Sequence, residues 1–114
     1  MDDTEYLLEP AEVDSIVLGA AESAAQSLGL RIAAPAKDFL LQKSLPALNR
    51  ANEEGRLESR RQEIEKNTSA LIRFIVTEQP KGEFAGPEIT YQHLIAGVSA
   101  FCRRYPDFYP FCTK

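Results

Sequence analysis

The stretch 57–78, LESRRQEIEKNTSALIRFIVTE, constrains the fold more than any other part of the chain. It carries two characters in one helical register. Its first half is charged nearly all round. In its second half Leu71, Ile72, Phe74, Ile75 and Val76 leave Arg73 as the one polar side chain between positions 71 and 76. A helix apolar on every face has to be covered on every face, and a charged one has to stay wet. The pattern therefore predicts a helix that enters a small core C-terminally and protrudes from it N-terminally.

Three further segments share the helical period. Residues 10–28 place Val13, Ile16, Val17, Ala20, Ala24 and Leu28 on one stripe, with Pro10 at the first helical position and Gly29 as a left-handed cap. Residues 36–54 offer Phe39, Leu40, Leu45, Ala47, Leu48 and Ala51, but Pro46 lies among them. Proline removes an amide donor and clashes one turn back, which predicts a kink or break near Ser44–Leu45. Residues 87–104 give the cleanest stripe: Tyr91, Leu94, Ile95, Val98, Phe101, Cys102 and, just beyond, Tyr105. The expected fold is all-α: a single domain over 1–114, an up-and-down-like four-helix bundle with an arm at 1–9 and a tail at 105–114. In the connection 79–86, between the third and fourth helices, Phe84 is expected to anchor on the core.

Charge is unevenly distributed. Residues 1–30 hold seven carboxylates and no Lys or Arg, while the remainder holds 13 basic and 10 acidic residues. The first helix is expected to lie against the chain's own basic surface or to face a basic partner. No apolar run approaches a membrane span, and the acidic start lacks the basic region of a signal peptide, so a cytoplasmic location is expected. There Cys102 and Cys112 would be free thiols; export would let them close a disulfide between the last helix and the tail.

Catalytic signals are thin. His93 is the sole histidine, without a nucleophile motif beside it, and reads as a solvent-facing helical residue with a small enzyme as the weaker alternative. Glu53 and Glu54 are adjacent and share no helix face; no metal or cofactor is expected. Arg56, Arg60 and Arg61 are the densest basic cluster, but Glu58, Glu63 and Glu65 interleave with them and the sequence pI is about 5.0. They fit a solvated helix better than a nucleic-acid face.

The tail YPDFYPFCTK is the most unusual segment. Phe101, Tyr105, Phe108, Tyr109 and Phe111 are half of the ten aromatic residues, within eleven positions. Two prolines, Pro106 and Pro110, forbid a continuing helix. The rings are expected either to fold back as a lid near the first and fourth helices or to form a protein-binding surface with Arg103 and Arg104. The function expected is a non-enzymatic protein-interaction module: an adaptor, inhibitor or regulatory subunit, with a homodimer as one form and a nucleic-acid-associated regulator as an alternative.

Overall fold

A computed structural model describes residues 8–78 and 87–112. Four α-helices dominate it: α1 (Pro10–Ser27), α2 (Ala34–Glu53), α3 (Arg61–Glu78) and α4 (Tyr91–Arg104). A short 3₁₀ turn, Glu58–Arg60, leads into α3, and β1 (Arg31–Ile32) and β2 (Glu88–Ile89) precede α2 and α4. Tyr6 and Leu7 of the arm and Phe84 of the connection lie outside the described residues.

The expected all-α bundle is the fold, with a different arrangement of neighbours. α1 packs chiefly on α3 and also on α2, while α4 packs on α3 and α2. The cyclic order is therefore α1–α2–α4–α3, which sets α2 and α3 across the bundle despite their short linker. A simple up-and-down order would have made them neighbours. The cause lies at one end: β1 and β2 pair in parallel, Arg31 opposite Glu88 and Ile32 opposite Ile89. The Arg31 amide donates to the Pro87 carbonyl and the Ala33 amide to Ile89, which fixes the starts of α2 and α4 side by side.

The bridge also corrects the start of the fourth helix. Pro87 is a bend and Glu88 and Ile89 are extended, because Ile89 has to turn inward against Ile32; both isoleucines are buried. Thr90 is the N-cap, and its hydroxyl accepts from the His93 amide. The C-terminal ends of α1 and α2 follow the sequence more closely. Gly29 and Gly55 have positive φ, and the amides of Leu30 and Arg56 reach back to Ala25 and Ala51. These are two Schellman closures, each satisfying carbonyls that a helix end leaves open.

Pro46 lies inside a continuous α2, so the break that the sequence allowed is absent. Pro46 and Gln42, whose carbonyl loses its partner, both lie on the exposed face, where water can serve that carbonyl. The buried face reads Ala36, Leu40, Ser44, Leu48 and Ala51, and the Ser44 hydroxyl donates to the Leu40 carbonyl at 2.8 Å. The stripe of α1 also drifts from the expected one. Ala21 and Ala25 are buried with Ala24, whereas Leu28 is exposed in the C-cap.

The charged half of α3 does not protrude. Leu57, Ile64 and Thr68 are fully buried in line with Leu71, Ile72 and Ile75. Leu57 and Ile64, seven apart, anchor the charged half, and Thr68 carries the buried line on to Leu71 with its hydroxyl satisfied on the Ile64 carbonyl. Farther along, α3 meets α4 closely at Gly97. A β-carbon there would sit 2.5 Å from Cγ1 of Ile75, so only hydrogen fits that crossing.

Candidate functional site

The tail grows out of the last turn of α4. The Tyr105 amide closes that turn on Phe101, and the amides of Phe111 and Cys112 both return to the Phe108 carbonyl. The chain thereby reverses and brings Cys112 back to Cys102, Cα atoms 5.3 Å apart, where the two sulfurs form a disulfide. The free thiols expected for a cytosolic chain are thus replaced by the bond envisaged for an exported one.

One face of this hook is closed onto the bundle. Phe111 is 2% exposed, and Pro110 and Cys112 are buried with it. Asn67 of α3 donates to the Tyr109 carbonyl at 2.8 Å, and the Tyr109 hydroxyl donates to the Ala47 carbonyl of α2 at 3.3 Å. The Arg60 guanidinium covers the Tyr109 ring 3.7 Å from its centroid. Burial pushes the Tyr109 phenol above its ordinary pKa, with the Arg60 charge acting in the opposite sense. The hook therefore docks on α2 and α3 as well as α4, where α1 and α4 were expected. Asn67 and Arg60 were not legible as its clamps.

The other face stays open. Phe101 sits at the centre of a ring cluster, edge-on to Phe74 at 5.0 Å and to Phe108 at 4.5 Å, with Tyr105 tilted beside it at 4.9 Å. Phe74 and Phe108 are half-buried, and Tyr105 is 45% exposed. Between α3 and the hook these rings form a shallow groove of about 480 Å³, with Ala70, Arg73 and Thr77 as its α3 wall. Arg104 stands over the Tyr105 ring at 5.9 Å. Arg103 belongs elsewhere: it borders a second groove with Phe39 and Lys43, and donates to the Ser99 hydroxyl at 3.2 Å. Ala70, Arg73, Phe74 and Thr77 were not legible as groove residues, because all four fall in the half of α3 whose pattern reads as covered on nearly every side.

The remaining nominated residues are engaged structurally. Arg56 pairs with Glu54 at 3.5 Å, Arg60 with Glu63 at 3.0 Å and Arg61 with Glu58 at 2.8 Å. Hydrogen bonds to Glu63 and Glu58 hold the Arg60 and Arg61 guanidiniums above their ordinary pKa. His93 is buried rather than solvent-facing, and its Nδ1 accepts from the Thr90 amide at 3.0 Å. It takes the place that Glu or Gln holds in a capping box. The acidic first helix meets basic surface through Glu22, which pairs with Lys37.

Among the described residues no three His, Cys, Asp or Glu side chains converge as metal ligands, and every buried side-chain polar atom has a partner. No described helix is long and apolar enough to cross a membrane. No family model, curated protein or solved structure matches the chain.

Proposed function

We propose that this chain is a small, non-catalytic helical interaction module. It acts as an adaptor, inhibitor or regulatory subunit by binding a partner protein, or a second copy of itself, through the open face of the hook. One observation carries the reading: Tyr105 and Phe108 lie at the surface on a frame fixed beneath them by the disulfide and by Phe111. Aromatic rings held rigidly bring contact area at little entropic cost, which is why they concentrate binding energy at interfaces. The arginine cluster and His93 support their alternatives less well, the first because each guanidinium already faces a glutamate, the second because its ring serves a helix cap. The disulfide supports an oxidising compartment in place of the expected cytoplasm, since such bonds are rare in reducing surroundings.

Tyr105→Asp tests the reading. It places a charge on the exposed ring position, so the melting temperature should hold while partner capture from the native host, or self-association in sedimentation, is lost. Unchanged capture and unchanged association at an unchanged melting temperature would sink the open face as the contact.

A further inference from the structure

The groove between α3 and the hook has cations on both rims. Arg73 lines it from α3, and Lys66, exposed two turns earlier, lies on the same stripe as Ala70, Arg73 and Thr77. Arg104, just beyond the lining, stands 5.9 Å over the ring of Tyr105, which lines the groove from the hook side. Among the described residues none of Lys66, Arg73 and Arg104 has an ion pair, whereas Arg31, Lys37, Arg56, Arg60 and Arg61 each have one. Asp107, exposed in the tail, is the acidic residue nearest in sequence to Arg104 and makes no ion pair with it. Among the described residues Lys43, Arg50 and Arg103 are without an ion pair as well, so what sets this groove apart is that its unpaired cations stand beside the open rings of Phe74, Tyr105 and Phe108.

We propose that this groove binds an acidic amphipathic segment of a partner protein. A large apolar side chain seats between Phe74 and Phe108, and flanking carboxylates meet Arg73 and Arg104. The inference rests on the interaction-module reading and adds the partner's chemistry. The α3 wall from Ala70 to Thr77 rises about 10 Å, enough for two turns of a helix laid into the groove. A second copy of this chain is a poor occupant through its acidic α1, because Val13, Ile16 and Val17 are buried in its own core and leave no apolar anchor to offer. Nucleic acid would want a continuous basic face, which a chain of pI about 5.0 does not present.

The experiment uses the oxidised full chain and three fluorescein-labelled peptides in fluorescence anisotropy. The peptides share their Leu and Phe positions, and their polar positions are all Glu, all Gln or all Lys. The Glu peptide should bind about tenfold more tightly than the Gln peptide, the combined effect expected of two partly exposed ion pairs. The Lys peptide should bind weakest. The Arg73→Glu, Arg104→Glu variant changes exposed positions and should melt like the wild type while reversing the preference toward Lys. Phe108→Ala should weaken all three. Equal binding of the Glu and Gln peptides, or a Glu preference that survives the double reversal, overturns the inference and leaves the module reading intact. Failure of every peptide to bind also overturns it, and the module reading is then judged separately by the Tyr105→Asp result. Displacement of the Glu peptide by rising concentrations of the protein itself would make a second copy the occupant, which overturns the proposed partner.

Discussion

Tyr105 and Tyr109 stand four residues apart, each beneath an arginine, and they do opposite things. Tyr109 is held from three sides: Asn67 on its carbonyl, Ala47 at its hydroxyl, Arg60 over its ring. Arg60 in turn is tied to Glu63. Tyr105 rests only on other rings of the cluster, Phe101 at 4.9 Å and Phe108 at 6.2 Å, and its arginine, Arg104, has no carboxylate among the described residues. The difference teaches that an aromatic–arginine contact becomes structural when a third group closes it. Without the third group it remains a surface with spare electrostatic capacity.

The largest expected effect removes the scaffold common to both tyrosines. Ile75→Asp places a charge in a fully buried position beside Gly97, with no partner to compensate it, and should abolish cooperative thermal unfolding. A cooperative melt near the wild-type temperature would contradict the packing of α3 on α4.

Next comes the inner face against the outer. Phe111→Ala should cost about 3–5 kcal/mol, the usual penalty for truncating a buried phenylalanine. Tyr105→Ala should cost less than about 1 kcal/mol, in the range of surface substitutions. Both are read from urea midpoints, and similar losses would erase the distinction between the two faces.

The arginines sharpen it further. Arg60→Ala should cost about 1 kcal/mol, since it uncovers a half-buried ring as well as releasing an ion pair. Arg104→Ala should leave the melting temperature unchanged within error. A larger loss at Arg104 would show its contact with Tyr105 to be the stabilising one.

The smallest effect is alkaline. The folded state keeps the Tyr109 phenol protonated above its ordinary pKa, whereas the unfolded chain releases that proton near pH 10. Above that pH the unfolded state binds fewer protons, so stability falls as pH rises. The melting temperature should therefore drop above about pH 10, and drop less in Tyr109→Phe. Identical profiles would place the Tyr109 ring in water.

Helix number and type were legible because Val13, Ile16, Val17, Leu94, Val98 and Phe101 repeat at the helical period. Less was legible where small or sparse residues carry the signal. Ala21 and Ala25 are too small to outweigh Leu28 in a pattern, yet they are what α1 buries. Leu57 and Ile64 were lost among charged neighbours. His93 replaced the residue types that announce a capping box. The two-residue strands had no periodicity to read. The aromatic tail announced itself as the candidate site by composition, but its open face depends on Arg73 and Phe74. A local pattern assigned those two residues to a helix covered on every side, and tertiary packing alone decided which flank stayed bare.

The β1–β2 bridge has a kinetic consequence. It joins Arg31 to Glu88, 57 positions apart, through a ladder only two residues long. Helices form from contacts close in sequence, whereas this ladder can close only after α2 and α3 have folded back and delivered residue 87 to residue 31. So few hydrogen bonds cannot repay that loop closure early, which makes the bridge the last step of folding and the first of unfolding. Weakening it with Ile89→Val should then quicken unfolding while leaving the folding rate almost untouched. In hydrogen exchange, the Arg31 and Ala33 amides should open before those of the α1–α3 core, so the molecule comes apart from the end where its helices are latched together.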